Sequence, residues 1–489
     1  DGVRGFAIVG GTGNESVSNR GTVTGSVTLG AGTNAFTNAV GGVFNAGPAV
    51  DLGAGNMLAN SGTLSPGGQG TPQTTALTGN LTQSGSGVSA FDLSLARLAS
   101  DRLDVAGSAR TGGGIRLNPI DTGYARPGTQ QRVMLSASGG VVNDGLLLSA
   151  PSSPIVRYDL SFPSGNEIAV RSSIDFAPAT LGFNARQIGK QVNAIQNAGG
   201  SSSFAPYAAS LIAQPDNASL NVAYEKLGPG ALGSLSSLSM TSSLDFQEAM
   251  HSCRQREGEY RFIHEGECRW LRFGGSVRDQ EREALNPGYK LNALTIAGGA
   301  QREVGEDTHL GFGLSYVRSD LNSVFSDVEG DRFEAGVILK RRYGATRISG
   351  SLSAGYGHYD SRRLVDLATP GLHALGKPDL WSASLLGKIS HDLVTGDNSY
   401  VRPMVGVGVT RVLRNAYGES GAGGANLQVE KEWDTFVSLH PAIEFGGEHA
   451  LEDSTLLRPY LRLGLTRFLS DNDRHITASL QGAPAGVEP

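Results

Sequence analysis

Residues 347–359 read RISGSLSAGYGHY, a stretch in which two kinds of side chain alternate from end to end. Because successive side chains of a β-strand point to opposite sides of the sheet, such a stretch has one apolar face and one small or polar face. This pattern is typical of a strand with lipid on one side and water on the other. The apolar positions are Ile348, Leu352, Ala354 and Tyr356, and the others are Arg347, Ser349, Ser351, Ser353, Gly355 and Gly357.

The same alternation recurs between about residues 269 and 480, for example in Val405, Val407 and Val409. Strands of a soluble sandwich also alternate, but they are usually about five or six residues long, and these are about twice that. Their length favours an antiparallel transmembrane β-barrel. The candidate strands are residues 270–278, 289–302, 309–321, 332–343, 347–365, 380–393, 400–414, 426–445, 456–469 and 475–481.

The composition agrees with an all-β protein that also has helical pieces. Glycine makes up 69 of the 489 residues, about twice its usual share of roughly 7%. The net charge of -6 and the pI near 5.9 leave no basic stripe, so nucleic acid is not expected as a partner. No apolar run of about eighteen residues is present in the sequence, so no transmembrane helix is predicted.

An imperfect repeat occupies the first 75 residues. VTLGAG at 27–32 returns as VDLGAG at 50–55, NRGTV at 19–23 returns as NSGTL at 60–64, and a looser copy lies at 38–43. The spacing of about twenty residues suits one coil of a parallel β-helix, in which apolar residues stack inside and Gly and Asn form the corners. We therefore interpret the asparagines as structural and not as ligand-binding residues.

Residues 76–175 keep the character of strands but lose the repeat. An open β-helix end exposes unpaired backbone groups and a bare apolar core, so this segment is expected to cap the solenoid.

Helical periodicity follows. Residues 184–196 and 217–227 are predicted as amphipathic helices, and Gly228-Pro229-Gly230 ends the second. Residues 231–250 form a third candidate helix, which is slim and rich in serine. Such a helix suits a polar channel, although a marginal surface helix is the alternative.

The order of these parts resembles the autotransporter family, the type V secretion proteins of Gram-negative outer membranes. SPG at 65–67, LTGNLTQ at 77–83 and SDRLDVAG at 100–107 are similar to the end of that family's passenger. YEKLGPG at 224–230 resembles its linker, and WLRFGG at 270–275 resembles the start of its first barrel strand. The resemblance covers nearly the whole chain in layout.

The resemblance implies a fold and a division into parts. Residues 1–75 would be the end of a right-handed parallel β-helical passenger, and 76–175 its cap or autochaperone-like segment. Residues 176–268 would be a helical linker with a pore-spanning helix at about 231–250. Residues 269–489 would be an outer-membrane barrel of the family's usual twelve strands. Because ten candidate strands are visible and the chain stops at GVEP, we expect two strands to be missing. A secretory signal, if the full gene has one, would have been cut off before Asp1.

The resemblance also implies a function and partners. The barrel would insert in outer-membrane lipid with the barrel-assembly machinery and periplasmic chaperones. The passenger would cross to the cell surface and act there as an adhesin-like factor that contacts host surface ligands. A passive porin-like channel and a translocator for an enzymatic passenger upstream of Asp1 are the alternatives.

Cys253 and Cys268 are the only cysteines, with fourteen residues between them. An even pair in an exported chain predicts a disulfide that closes a short hairpin. His251 and His264 flank the pair, but the spacing of a zinc site is absent, so a metal is the weaker interpretation.

Charged residues on the polar strand faces are candidates for lining the pore, or simply hydrate the lumen and contact the helix. These are Arg272, Arg278, Glu334, Arg402, Arg458 and Arg462, with Lys388 and Glu444. Aromatic residues near strand ends are expected at the lipid headgroups. These are Trp270, Tyr289, Tyr316, Tyr343, Trp381, Tyr400 and Trp433.

No catalytic motif, cofactor site or metal site is recognised, so the chain is not predicted to be an enzyme. Self-cleavage at paired asparagines is not assigned because the sequence contains no Asn-Asn pair. Asp216, Asn217 and Asp245 remain as candidates for a different acidic or Asn-based cleavage.

Overall fold

The computed structural model describes residues 2–253, 265–282, 288–451, 455–470 and 475–487. Its contacts divide the chain into two compact units, centred on residues 2–224 and 225–481. The division falls inside the predicted linker of 176–268, within the helix predicted at 217–227.

The first unit contains eighteen strands. They are β1 (Phe6–Val9), β2 (Ser16–Asn19), β3 (Thr22–Thr28), β4 (Ala35–Asn38), β5 (Val43–Asp51), β6 (Met57–Asn60), β7 (Thr63–Pro66), β8 (Thr74–Thr78), β9 (Asn80–Gln83), β10 (Val88–Ser94), β11 (Arg102–Val105), β12 (Ala109–Thr111), β13 (Gly114–Ile120), β14 (Gly128–Ala137), β15 (Val141–Asn143), β16 (Leu147–Ser149), β17 (Val156–Ser164) and β18 (Glu167–Ile174).

Most of these strands stack in parallel, one coil upon the next. One sheet runs β15-β12-β9-β6-β4-β2, and the other includes β16-β13-β10-β7-β5 and β5-β8-β11-β14. Val27, Val50, Leu77 and Val105 lie in register on successive coils and are all buried. A Cβ at Gly30 would lie 1.9 Å from the carbonyl oxygen of Gly11, so that corner of the coil requires glycine.

A ladder of buried amide side chains runs through the stack. Asn19 Nδ2 donates to Asn38 Oδ1 at 2.9 Å, Asn38 Nδ2 to Asn60 Oδ1 at 2.8 Å, and Asn60 Nδ2 to Gln83 Oε1 at 3.0 Å. Each asparagine Nδ2 group also donates to a backbone carbonyl of the next coil. These bonds satisfy the buried amides, which would be costly to bury without partners. The asparagines of the repeat thus have a structural role in the stack.

The stack ends in antiparallel strands. β14 pairs in parallel with β11 but antiparallel with β18, which pairs in turn with β17. The predicted boundary at residue 75 lies inside the stack, because parallel pairing continues to β16 at Leu147–Ser149. The antiparallel strands β17 and β18 at 156–174 lie in the segment that the sequence predicted as the cap.

Four α-helices follow in the residues that the structure describes: α1 (Phe183–Asn197), α2 (Ala205–Ile212), α3 (Asn217–Leu227) and α4 (Leu235–Met250). Short 3₁₀ turns lie at η1 (Thr122–Tyr124), η2 (Gly230–Ser234) and η3 (Gly423–Ala425). The sequence predicted α1, α3 and α4 but missed α2, which is only eight residues long. The predicted start of α4 at 231 is a 3₁₀ turn instead. In the described part of the chain, every helix is too short or too polar to cross a membrane.

The second unit is built on long antiparallel strands. They are β19 (Cys268–Gln280), β20 (Tyr289–Gly305), β21 (Thr308–Asn322), β22 (Ser326–Tyr343), β23 (Thr346–Leu364), β24 (His373–Gly376), β25 (Asp379–His391), β26 (Leu393–Gly396), β27 (Ser399–Arg414), β28 (Tyr417–Gly418), β29 (Leu427–Val429), β30 (Glu432–Gly447), β31 (His449–Ala450), β32 (Leu456–Leu457), β33 (Tyr460–Gly464), β34 (Arg467–Phe468) and β35 (Ala478–Leu480).

The main sheet runs β19-β20-β21-β22-β23-β25-β27-β30-β33. The prediction that residues 475–481 form a further barrel strand was wrong. β35 pairs instead with β29 in a small sheet, where the buried Leu480 lies opposite Leu427. The predicted strand at 456–469 is divided into β32, β33 and β34.

The two faces of the main sheet differ as the alternation predicts. In β23, Ser351 and Ser353 are buried, whereas Ile348 and Leu352 are about half exposed. α4 contacts β20, β21, β22, β23, β25 and β27, so the sheet curls around this helix. The predicted fold class is confirmed: the chain is mostly β, with a helical linker and a C-terminal antiparallel curled sheet.

The helix inside the barrel as candidate functional site

The candidate site is the lumen of the second unit together with the helix that occupies it. The first half of η2 and α4 is anchored by apolar contacts. Leu232, Leu235 and Leu238 are buried in one cluster with inward side chains of the sheet, including Leu291 and Tyr359. The helix contributes to this cluster the few leucines of its serine-rich sequence, and the inner face of the sheet contributes the remaining apolar side chains.

A network of hydrogen bonds holds the middle of α4 against the inner face of the sheet. Arg332 Nη2 donates to Ser243 Oγ at 2.9 Å, to Ser382 Oγ at 2.5 Å and to Glu334 Oε2 at 3.2 Å. Ser353 Oγ donates to Glu334 Oε1 at 2.7 Å. The network therefore links the helix to three strands, and the buried charges are paired with each other. A serine suits position 243 because it is small and can accept this bond.

Two glycines make room for the larger side chains of α4. A Cβ at Gly336 would lie 2.8 Å from Met250 Cε and 3.0 Å from Phe246 Cε1. A Cβ at Gly313 would lie 3.2 Å from the Phe246 ring. Neither glycine has a positive φ, so the backbone conformation does not require glycine at these positions. The space that the helix side chains occupy is therefore the reason why the wall has glycine there.

The C-terminal end of α4 is held by a cation. Lys340 Nζ donates to the carbonyls of His251 and Cys253, both at 3.3 Å, and to Glu265 Oε2 at 3.0 Å. Arg347 Nη1 donates to the same Glu265 at 3.2 Å. A positive charge at this end satisfies carbonyls that have no partner within the helix.

A disulfide closes the same corner. Cys253 and Cys268 are bonded, with their Cα atoms 6.0 Å apart, and they join the chain just after α4 to the first residue of β19. His264, named above in the weaker metal interpretation, lies outside the described residues.

The outer face of the sheet is apolar and carries a row of aromatic rings. Tyr316, Phe333, Tyr356 and Trp381 lie directly opposite one another on four neighbouring strands. The Tyr316 and Phe333 ring centroids are 5.1 Å apart, and those of Tyr356 and Trp381 are 4.6 Å apart. An apolar outside with an aromatic row, around a polar inside, is the surface pattern of an outer-membrane barrel.

The family assignment follows from this arrangement and from the sequence of the same segment. Residues 269–488 match the model of the autotransporter β-domain. The C-terminal segment of this chain is an autotransporter β-domain. It is accordingly an outer-membrane translocator barrel.

The β-domain is similar to two solved structures. The translocator domain of autotransporter NalP from Neisseria meningitidis shows 15% identity and a TM-score of 0.39, over 51% of this chain and 80% of that one. The β-domain of the Bordetella autotransporter Brka shows 16% identity and a TM-score of 0.33, over 44% of this chain and 82% of that one. No curated protein matches the chain.

The predicted pore-lining residues of the β-domain lie in two groups. Arg272 and Arg278 lie near Asp245 of α4, and Arg278 Nη1 donates to Thr241 Oγ1 at 3.0 Å. Glu334 belongs to the network around Ser243. The structure thus brings these three residues to the helix, together with Lys388, which pairs with Glu248 of α4.

The other three predicted residues pair with strand carboxylates. Arg402 and Arg462 both donate to Glu444, at 2.7 and 2.8 Å, and Arg402 also binds Asp392. Arg458 pairs with Glu448 at 2.7 Å. These residues form ion pairs between neighbouring parts of the sheet.

Sequence reasoning missed several inward cations of the β-domain, although strand alternation contained the signal. Arg332 and Lys340 are an even number of residues from Glu334 in β22, so they lie on the same inner face of the sheet. By the same rule, Arg363 lies on the same face of β23 as Arg347. Arg363 Nε donates to Glu419 Oε1 at 3.2 Å, and its Nη2 donates to the Ala425 carbonyl at 2.9 Å.

The first unit contains a separate pair of buried acids. Asp101 accepts the backbone N–H groups of Gln73 and Asp92, both at 2.8 Å, and Asp92 accepts from Asn118 Nδ2 at 2.5 Å. Burial raises the pKa of Asp101 to about 8, although the two N–H donors act in the opposite direction. The stack therefore holds a carboxyl that is sensitive to mildly alkaline pH.

Proposed function

We propose that the barrel translocates the N-terminal β-helical segment and displays it on the cell surface, with α4 remaining in the lumen. One observation supports this proposal above all: α4 is held by apolar contacts at its start, by the Arg332 network in its middle and by Lys340 at its end. A chain that passes through the barrel would leave such a segment behind, and the lumen wall matches that segment in shape and charge.

Folding of the stack on the far side would make export irreversible. Each added coil buries another set of apolar side chains and extends the amide ladder, so its stability depends on its neighbours. The cap formed by β14, β17 and β18 is the proposed autochaperone-like start of this stacking, because its antiparallel pairing is local along the chain.

The proposed partners follow from the same scheme. Outer-membrane lipid surrounds the apolar face, and the barrel-assembly machinery and periplasmic chaperones of a Gram-negative cell insert the barrel. We further propose that the displayed stack acts as an adhesin-like, non-catalytic surface factor. A rigid β-helix presents a long side surface, which suits the binding of host surface ligands.

Surface labelling tests the display directly. A protease site placed in the exposed turn at Gly145 is expected to be cut in intact cells that express the chain. The same site in a chain that lacks residues 269–487 is the control and is expected to stay protected. Protection of both sites until the outer membrane is permeabilised would refute translocation by this barrel.

A binding assay tests the adhesin-like role separately. Cells that display the whole chain are expected to retain more host-cell matrix than cells that express the chain without residues 2–149. Equal retention, with surface display verified in both strains, would refute this role and leave translocation intact.

A further inference from the structure

The outer face of the barrel has a row of alanines between two rows of large side chains. Ala335, Ala354 and Ala383 lie directly opposite one another on β22, β23 and β25. The aromatic row of Phe333, Tyr356 and Trp381 lies two residues to one side, and the row of Val337, Leu352 and Leu385 lies two residues to the other.

This arrangement makes a trough that crosses the strands. Residues two apart in a strand are separated by about 6.8 Å, and alanine side chains are far shorter than the aromatic and branched side chains beside them. A cavity of about 870 Å³ lies at one end of this trough, where it is lined by Ala335, Ala354 and the aromatic row and extends over β20 and β21 as far as Phe312. Its volume is within the range of about 300–1,000 Å³ typical of ligand pockets.

A cation stands at one end of the alanine row. Arg411 of β27 lies directly opposite Ala383, and it interrupts the outward run of Val405, Val407, Val409 and Leu413. Its guanidinium lies 4.4 Å from the centroid of the Trp433 ring. A guanidinium group binds phosphate through paired N–H donors, and tryptophan favours the depth of the lipid headgroups.

The polar groups on the aromatic side of the trough are paired with one another, since Asp331 lies 3.8 Å from Arg318 Nη1 and Asp379 lies 2.6 Å from His358 Nδ1. Tyr316 Oη donates to Asp331 at 2.6 Å, and Tyr356 Oη donates to Asp379 at 3.0 Å. These bonds hold the two hydroxyls toward carboxylates, while the rings remain as an apolar wall. These polar groups are thus already engaged, whereas the Arg411 guanidinium lies beside the alanine row itself.

We propose that the barrel binds one glycerophospholipid, with an acyl chain in the alanine trough and the phosphate at Arg411. The site needs only a barrel that lies in a membrane, and it goes beyond the translocation proposed above. A second copy of the chain is the competing occupant of such an apolar face, but a second copy would bring no phosphate to Arg411.

Native mass spectrometry of the intact chain in detergent tests the site with phosphatidylglycerol as the probe. One retained lipid per chain is expected. Ala354→Phe fills the trough and should lower lipid occupancy at least fivefold. Val407→Phe is the matched control, because Val407 also faces outward but lies outside the alanine row. It should leave occupancy unchanged.

Arg411→Gln tests the headgroup contact. It should lower the occupancy by phosphatidylglycerol severalfold and leave that of an uncharged diacylglycerol unchanged, whereas Arg318→Gln should change neither. Arg269 also lines the cavity, so loss in Arg269→Gln without loss in Arg411→Gln would overturn the assignment of the phosphate to Arg411.

Two other outcomes would overturn the proposal as a whole. Equal loss in Ala354→Phe and Val407→Phe would show only general lipid coating. A dimer that Ala354→Phe abolishes, without retained lipid, would make the second copy the occupant. Circular dichroism of each variant verifies that the barrel is folded, and surface cleavage at Gly145 measures translocation independently.

Discussion

At the scale of single residues, the lumen depends on charges that are buried and paired. Arg332 is 2% exposed and Glu334 is 5% exposed, so removing one partner leaves the other as an isolated charge. Such pairs position the helix through fixed hydrogen bonds.

Arg332→Met is therefore expected to lower the free energy of unfolding by roughly 3–5 kcal/mol, because it leaves the Glu334 carboxylate without its cation. The measurement is urea unfolding of the barrel in lipid vesicles, followed by tryptophan fluorescence. The double variant Arg332→Met with Glu334→Gln should recover part of the loss.

The control is Arg318→Gln, which removes an exposed arginine from a loose contact with Glu329 at 3.7 Å. Its effect should stay below about 1 kcal/mol. Similar losses in Arg332→Met and Arg318→Gln would contradict the importance of the buried network.

The buried Asp101 predicts a pH dependence of the stack. Its pKa in the folded state is about 8, above the ordinary value of 3.8, so the folded chain binds the proton more tightly than the unfolded chain. Its contribution to stability is present at low pH and is lost as the pH rises toward 8.

Pulse proteolysis in urea at pH 5 and pH 8 measures this slope. Asp101→Asn should flatten the slope whatever its effect on absolute stability, since the amide does not titrate in this range. Asp104→Asn, in the strand β11 that directly follows Asp101, is the control and should keep the slope. An unchanged slope in Asp101→Asn would refute this role.

At the scale of elements, α4 and the barrel wall are complementary in size. Gly336 and Gly313 leave space for the side chains of Phe246 and Met250. Elsewhere on the helix, buried serines are small enough for the strands to pack closely against it. The fit is therefore divided between glycines on the wall and serines on the helix.

Gly336→Leu should destabilise the packed helix by about 1–3 kcal/mol, because any side chain at this position overlaps Met250 and Phe246. Hydrogen exchange in α4 of the intact chain is the measurement, and it should become faster. Gly350→Leu is the matched control, since a Cβ at Gly350 meets no atom within 4 Å. Equal exchange in the two variants would refute the packing role.

Much of this architecture was visible in the sequence, for physical reasons that differ between elements. Two-sided alternation in residues 347–359 predicted β23 and both of its faces, because the period of a strand is fixed by its backbone. The slender serine-rich segment predicted the helix in the lumen. Pairing partners were not visible: β35 joins β29 because of a distant contact between Leu480 and Leu427, which no local pattern encodes.

The same limit applied to the candidate site. The alternation of side chains along β22 was sufficient to place Arg332 and Glu334 on the inner face. Their contact with Ser243 depends on the depth of α4 in the barrel, which is set by the whole set of helix contacts. Sequence thus identified the residues that face the lumen better than the bonds they make.

At the scale of the whole molecule, a barrel with an apolar outside and a polar lumen filled by α4 underlies every role proposed above. Planar-bilayer conductance of the intact chain and of a chain lacking residues 235–250 tests it most directly. The intact chain should insert and conduct poorly, and the deletion should conduct severalfold more, because α4 occupies the lumen. Equal conductance of the two chains would contradict the account.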